Sequence, residues 1–307
     1  MTPARVLVTG AAGLIGGAVA RRLAADGIVA IATDAREAKL PDGVRCERAD
    51  LSDRAAVEAL LRRQEIDSVI HCGAISGPMA MAGDPHRVMA VNVGGTLNLA
   101  EAARKAGVAR FLALSSAAVY GAQPNLDAVS ESAPLNATDI YGASKIAMEA
   151  TLRAYERDLG LPAAVLRVAS VYGPGRTTQC FVRDLIRSAA TGVPLAISAE
   201  RMCRRQFVHV DDVVRAIVQA VAAPDLADFA YNVGGGTWLT EPELAAVAAA
   251  VLPGLKISDL SAPARCLDGR MGPLDNSRAA GAFGYRPAVE LRQGIASYAA
   301  FLAAQAA

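Results

Sequence analysis

The chain has 307 residues, of which 53% are hydrophobic and 20% charged, a balance that excludes a disordered chain and allows one large α/β unit or a large domain with a smaller partner. Its 31 basic and 30 acidic residues leave a net charge of +1 and the arginines are dispersed, so neither nucleic acid nor an anionic membrane is expected as a partner. Cys46, Cys72, Cys180, Cys203 and Cys266 show no paired spacing and are expected to be free thiols of a reducing cytosol.

RVLVTG (5–10) reads as a buried strand, and residues 14–26 repeat apolar side chains at helical spacing, with Leu14, Val19 and Leu23 on one face. IVAIATD (28–34) is a second strand and VRCERADL (44–51) a third, followed by a helix from about Asp53 to Gln64. DSVIHCG (67–73) is the fourth strand, a longer helix runs from about Pro85 to Lys105, and VARFLALSS (108–116) is the fifth strand. YGASK (141–145) lies in a helix that ends near Gly160, and AAVLRVAS (163–170) is the sixth strand. Strands alternating with helices imply right-handed crossovers and a parallel sheet covered on both faces. After about residue 170 the rhythm loosens, with helices near 178–191, 211–222, 241–251 and 289–304. The longest apolar stretch, LAAVAAAVL (244–252), is too short to span a bilayer, and MTPARVLVTG carries no signal-peptide pattern, so a cytoplasmic protein is expected.

TGAAGLIGG (9–17) sits between the first strand and the first helix, with Gly10, Gly13 and Gly16 spaced G-x-x-G-x-x-G. Such glycines make a tight turn, let the backbone approach a pyrophosphate and let helix and strand pack closely, while the helix N-terminus offers free N–H groups to the phosphates. A plain glycine-rich turn is the alternative. Asp34, which ends the second strand 18 residues after Gly16, argues against it. A carboxylate there accepts hydrogen bonds from the adenosine ribose and repels a 2′-phosphate, which favours NAD over NADP. Asp50 and Leu51 end the third strand, in position to bracket an adenine.

These stretches, with HCGA (71–74), NVGGT (92–96), LSSAAVYG (114–121), YGASK, RVASVYGPG (167–175), FVHVDDVV (207–214) and SRAAGAFGYRP (277–287), follow one another over nearly the whole chain. As a set they resemble the extended short-chain dehydrogenase/reductase family, in its NAD-dependent epimerase/dehydratase branch. The resemblance implies an α/β fold: a Rossmann-type doubly wound parallel sheet with a smaller C-terminal part. Residues 1–170, joined by part of 206–230, would bind NAD, and 171–307 mainly the substrate. It implies that Tyr141 is the general acid/base, that Lys145 lowers its pKa and holds the nicotinamide ribose, and that Ser116 hydrogen-bonds the reacting oxygen. Asn92 would lie near the cofactor and Cys72, Gly73 and Ala74 along its path, with Leu14, Ile15, Leu114 and Val168 completing the NAD-contacting set. It also implies a homodimer through a four-helix bundle of the helices at about 85–105 and 141–160.

The residues support the same chemistry. A free tyrosine titrates near pKa ~10, too high for a base at neutral pH. A lysine one helical turn later shares its face, and its charge, with that of oxidised nicotinamide, stabilises the phenolate. Ser116 stands 25 residues before Tyr141, at the strand end where open parallel sheets place ligands. A helix-surface Tyr and Lys is the alternative.

Departures from the family narrow the reaction. Ala117 and Ala118 follow Ser116 where sugar 4,6-dehydratases place an Asp–Glu pair, so dehydration is not expected. Arg205 stands where nucleotide-sugar enzymes hold a diphosphate. Ser170 replaces the usual asparagine and resembles the free uronic-acid dehydrogenases. Arg176 and Arg205 suit a carboxylate as well as a phosphate. RCLDGRMGPLDNS (265–277), with Arg265, Asp268 and Arg270, replaces a clear nucleotide-holding segment. Ser76 in AISGPM (74–79) and Ala117 join Ser116, Ser170, Arg176 and Arg205 as candidate substrate contacts. His71 and His209 are expected to be packed structural residues, and no metal is expected. The resulting expectation is an NAD-dependent oxidoreductase or epimerase acting on a secondary alcohol of a sugar, sugar acid or nucleotide sugar. A net dehydrogenase of a free sugar acid is the alternative, and a non-catalytic NAD-binding regulator is a more distant one.

Overall fold

The computed structural model describes residues 5–38, 40, 44–77, 83–197, 204–259 and 271–306. The first half runs β1 (Arg5–Thr9), α1 (Leu14–Ala25), β2 (Val29–Asp34), β3 (Arg45–Arg48), α2 (Arg54–Gln64), β4 (Ser68–His71) and α3 (Pro85–Met89). A π-helical turn (Ala90–Gly94), α4 (Gly95–Ala106), β5 (Arg110–Ser116), a 3-10 turn (Ala117–Val119), α5 (Ile140–Leu159) and β6 (Ala163–Val168) follow. The second half holds β7 (Ser170–Tyr172), α6 (Phe181–Thr191), β8 (Leu195–Ile197), β9 (Arg205–His209), α7 (Val210–Ala222) and β10 (Ala230–Val233). It ends with β11 (Thr237–Leu239), α8 (Glu241–Ala249), β12 (Ile257–Asp259), α9 (Ser277–Phe283) and α10 (Leu291–Ala306).

Seven strands make one parallel sheet in the order β10–β6–β5–β4–β1–β2–β3. Alternate residues of each strand feed opposite faces. Val6, Val8, Ile70, Leu112, Leu114 and Leu166 pack with Val19 and Leu23 of α1 and Val213 and Ile217 of α7. Leu7, Ile31, Val69, Phe111 and Val165 pack with Leu60 of α2, Leu99 of α4 and Met148 and Leu152 of α5. Each fully buried side chain of this kind contributes about 1.5–3 kcal/mol relative to exposure, so strands apolar on both faces are driven to the middle of the stack. The strand order reverses between β1 and β4, and the crevice outside their C-terminal ends is where doubly wound sheets bind ligands. Gly10, Asp34, Cys72 and the Ser116 strand end all lie along that edge.

A separate core of Tyr172, Val182, Leu185, Phe207, Leu244, Ile295 and Tyr298 joins α6, α8 and α10 to a three-stranded sheet, β11–β9–β7. A further pair, β12–β8, lies in the same half.

Three expected elements differ. The third strand ends at Arg48 instead of Leu51 because β3 is the sheet edge and pairs only with β2, so Asp50 and Leu51 fall in the turn beyond it. The long helix expected over 85–105 is interrupted by the π turn. The sixth strand divides at Ala169, whose N–H bonds the Val233 carbonyl; Ser170 then leaves the main sheet and pairs opposite Phe207.

Candidate active site

The β1–α1 loop is built on close backbone approach. Gly10 has φ +71°, and a Cβ there would stand 2.7 Å from the Cys72 carbonyl carbon and the Gly73 nitrogen. A Cβ on Gly16 would stand 2.3 Å from the Gly10 carbonyl oxygen. Helices α2 and α5 begin with Asp53 and Asp139 accepting backbone N–H groups, but α1 begins at Gly13 with no side-chain cap. Its first N–H groups and positive dipole end are therefore left for an anion. Gly13, Leu14 and Gly17 of this loop and helix line a cavity of about 170 Å³ together with Glu37 and Gly175.

Asp34 closes the other side of the loop. Its Oδ2 accepts the Ala12 N–H at 3.0 Å and its Oδ1 accepts the Arg36 N–H at 2.9 Å, while the Arg36 side chain is 71% exposed. Beyond β3, the Asp50 Oδ1 accepts the Ser52 N–H and hydroxyl at 2.9 and 2.6 Å. These bonds hold its carboxyl below the usual range. Leu51 is buried, and a Cβ on Gly73 or on Gly95 would collide with its side chain.

A chain of buried polar groups leads from the loop to α5. The Gly73 N–H donates to Thr9 Oγ1, which is 2.8 Å from His71 Nδ1, and His71 Nε2 is 2.8 Å from Thr96 Oγ1. Thr96 donates to the Asn92 carbonyl, which assigns the His71 proton to Nε2. Burial lowers the His71 pKa to about 3, so the ring is a neutral packed group. The Asn92 side chain accepts from Ile75 N at 2.8 Å and donates to Ile75 O and to Ser144 Oγ at 3.0 and 2.9 Å. Ser144 in turn donates to the Tyr141 carbonyl at 2.7 Å. These bonds explain the π turn: Asn92 is held at its centre by partners outside the helix, an arrangement often found where a helix serves a site.

Tyr141, Lys145 and Ser116 converge at the end of β5. The Ser116 hydroxyl accepts the Ala118 N–H at 3.2 Å and lies close enough to the Tyr141 phenol to favour its ionisation. Asp139 caps α5 by accepting Gly142 N–H at 2.7 Å, and a Cβ on Gly142 would stand 2.8 Å from the Ala118 carbonyl oxygen. The glycine in YGASK thus lets α5 press against the turn after Ser116. Lys145 Nζ donates to the Leu114 carbonyl at 2.7 Å and lies 6.0 Å from the Tyr141 ring centroid. Burial lowers the Lys145 pKa to about 8. Burial raises the phenol above its ordinary value near 10, and the neighbouring Ser116 hydroxyl works against this.

A model of the NAD dependent epimerase/dehydratase family matches residues 6–234. The chain belongs to that family. Among its relatives is a UDP-glucose 4-epimerase of Mycolicibacterium smegmatis, 34% identical over 97% of this chain and 98% of its own. The crystal structure of UDP-glucose 4-epimerase from Thermotoga maritima with UDP-glucose superposes with a TM-score of 0.91 at 27% identity, covering 99% of this chain and 100% of that one. UDP-glucose 4-epimerase of Thermus thermophilus, in complex with NAD, gives 0.88 at 31% identity, covering 97% and 99%.

The protein is therefore an NAD-dependent enzyme of the epimerase/dehydratase type, and its relatives act on nucleotide sugars. The residues present suit NAD. Side chains at Gly10 and Gly16 would fill the ground the loop needs, the α1 N-terminus is uncapped, and the Asp34 carboxylate is fixed beside the loop. Val168 and Leu114 are buried beneath the same edge, and Leu14, Ile15 and Cys72 are partly buried. Among the described residues no helix is long and apolar enough to cross a membrane.

The candidate substrate residues are less tightly gathered. Ser76 precedes Gly77 (φ +87°), and Pro78 and Met79 lie outside the described residues, as do Arg265, Asp268 and Arg270. Ser170 is exposed at the start of β7, and Arg205 opens β9 opposite Leu239. The Arg176 guanidinium donates to the Val171 carbonyl and, at 3.0 Å, to the Gln179 carbonyl, so two of its nitrogens already brace their own loop. Sequence reasoning missed Glu149 and Arg167. They form a buried ion pair at 2.6 Å directly behind Lys145, and the i+4 spacing of Lys145 and Glu149 on α5 was the available signal.

Proposed function

We propose that the protein interconverts 4-epimers of a nucleotide sugar, with UDP-hexoses the first class to test, by reversible oxidation of the hydroxyl at that carbon. The observation that carries the reading is the convergence of Ser116 and Tyr141 at the end of β5, with the Lys145 ammonium 6.0 Å from the Tyr141 ring centroid and anchored to the Leu114 carbonyl. Ala117 and Ala118 supply no acid/base pair for expelling water, which favours epimerisation over dehydration. The activities of the relatives support nucleotide sugars and do not favour the free sugar-acid dehydrogenase.

In this reading Ser116 fixes the sugar oxygen and Tyr141 takes its proton, then returns it when the ketone is reduced on the other face. Lys145 stabilises the phenolate and is assigned the nicotinamide ribose. Bound NAD supplies the hydride acceptor and a second positive charge. Gly10, Gly13, Leu14, Ile15 and Gly16 are assigned the pyrophosphate, Asp34 the adenosine ribose, and Asp50 and Leu51 the adenine side. Cys72, Gly73, Ala74, Leu114 and Val168 are assigned the remaining walls, with Asn92 holding the loop after β4. Ser76, Ala117, Ser170, Arg176 and Arg205 are assigned the substrate, with Arg205 the diphosphate contact. We assign residues 1–170 with part of 206–230 to the NAD-binding domain and 171–307 mainly to the substrate. A cytoplasmic location is part of the same proposal.

Chromatography of products from a panel of UDP-hexoses, dTDP-hexoses and free uronic and aldonic acids tests this. Conversion of a nucleotide hexose to its 4-epimer is expected, and oxidation confined to a free acid would reject the reading. Asp34→Asn should weaken NAD binding about tenfold, the scale of a hydrogen bond to a charged group, and narrow the preference over NADP. Titration calorimetry with both dinucleotides reads this. The activity should fall above about pH 8, where Lys145 loses its proton and its help to the phenolate. A pH profile of kcat/KM checks the limb.

A homodimer through α4 and α5 is proposed as well. Leu97 on α4 and Ile140 on α5 are 43% and 46% exposed and would be covered by a partner's helices in such a dimer. Sedimentation at micromolar concentration should give a dimer, and Leu97→Glu with Ile140→Glu should shift it to monomer.

A further inference from the structure

We infer that Glu149 is a positioning residue for the Ser116–Tyr141–Lys145 set, latching the end of β5 to α5 from behind while its carboxylate opposes the Lys145 ammonium. This rests on the roles proposed above for those three residues.

The geometry is a double latch. Lys145 and Glu149 stand one turn apart on α5 and grip consecutive residues of β5. Lys145 Nζ donates to the Leu114 carbonyl at 2.7 Å, and the Ser115 hydroxyl donates to Glu149 Oε1 at 2.5 Å. Ser116 is the next residue, so the same helix that carries Tyr141 fixes the strand that presents Ser116 to it. Glu149 is in turn held by Arg167 of β6 through Nε at 3.1 and 3.2 Å and through Nη2 at 2.6 Å. Arg167 Nη1 donates to the Tyr120 hydroxyl at 3.0 Å and to the Glu131 carbonyl at 2.9 Å, and Tyr120 donates to Asn232 of β10 at 2.7 Å. The latch is therefore anchored across three strands, with Glu149 and Arg167 at 3% and 5% exposure.

Among the described residues, the groups facing Lys145 leave it one standing opposing charge. On the β4 side, His71 is neutral, with a pKa of about 3, and burial pushes the Cys72 thiol up to about 12, so neither carries charge near neutrality. On α5 itself, Tyr141 is raised and stays a neutral phenol in the resting protein. Cys72 and Glu149 are the groups that raise Lys145 against its burial, and with the Cys72 thiol neutral Glu149 is the standing anion of the two, with the Arg167 cation on its far side. Without Glu149 the buried ammonium loses its opposing charge and gives up its proton at lower pH.

The test is Glu149→Gln alongside Ser115→Ala and Tyr141→Phe. Glu149→Gln should cut kcat about 10- to 100-fold with KM changed little, as a small misplacement of reacting groups does. It should also move the alkaline limb of kcat/KM about one pH unit lower. In the protein without added substrate, NMR titration of the Lys145 ammonium should show the same downward displacement, a readout a purely structural role would leave in place. Removing one partner of a buried pair is strongly destabilising, and if Glu149→Gln does not fold, Ser115→Ala decides. That variant keeps both charges, breaks the latch, and should lower kcat about three- to tenfold with the pH limb unmoved. A folded Glu149→Gln with wild-type kcat and limb overturns the inference, as does wild-type kcat in Ser115→Ala when the first variant is unfolded. If Tyr141→Phe keeps full turnover, the underlying assignment of the site has failed instead; if it is inactive, the results for Glu149→Gln and Ser115→Ala bear on the latch alone.

Discussion

Tyr141→Phe should lower kcat for the nucleotide-sugar substrate about 10²- to 10⁴-fold, the range general acid–base catalysis contributes, while NAD affinity and thermal stability stay close to wild type. The phenol oxygen is the only atom removed. The nearby Ser116 hydroxyl keeps its bond to the Ala118 N–H at 3.2 Å. The ring still packs at the start of α5, whose cap at Asp139 and latch at Lys145 are untouched. The loss should therefore appear in kcat and not in folding, which separates a proton-transfer role from a packing role. Steady-state kinetics with circular dichroism and NAD titration on one preparation measures all three.

Gly16→Ala should abolish useful NAD binding and lower the melting temperature. The added Cβ would stand 2.3 Å from the Gly10 carbonyl oxygen and 2.7 Å from its carbon, and both are backbone atoms of the loop itself. No rotamer relieves the clash, so α1 must move off β1. Overpacking of this kind costs about 1–3 kcal/mol, and the same movement withdraws the α1 N–H groups from the phosphates. A fall in NAD affinity of about 100-fold or more corresponds to losing roughly 3 kcal/mol of binding. Gly281→Ala in α9 is the control, since no heavy atom lies within 4 Å of its added Cβ and alanine favours a helix. Calorimetric melts and NAD titration of the two variants should diverge sharply.

Much of this architecture is legible in the sequence, for identifiable reasons. Strands such as RVLVT and RFLALSS are apolar on both faces, a pattern that only a covered parallel sheet satisfies. The glycine loop and YGASK were legible because their chemistry is local: each needs particular residues within one or two turns. What escaped depends on partners distant in sequence. The π turn exists because Asn92 is tied to Ile75 and Ser144, and nothing in NVGGT announces those bonds. The end of β3 was overrun because an edge strand stops where its single neighbour stops pairing. The Arg176 guanidinium is engaged by carbonyls of its own loop, which no spacing rule reveals. The Glu149–Arg167 pair joins a helix to a strand 18 residues on, and only the fold makes them neighbours.

The proposed reaction oxidises and then re-reduces the same carbon within one site. UDP-glucose carrying deuterium at C4 tests that most directly, with product analysed by NMR and mass spectrometry and reduced nicotinamide followed by absorbance. The expected product is a 4-epimer that retains deuterium at C4, with no net accumulation of reduced cofactor. A product with solvent hydrogen at C4, or steady release of reduced nicotinamide with no epimer formed, would contradict it.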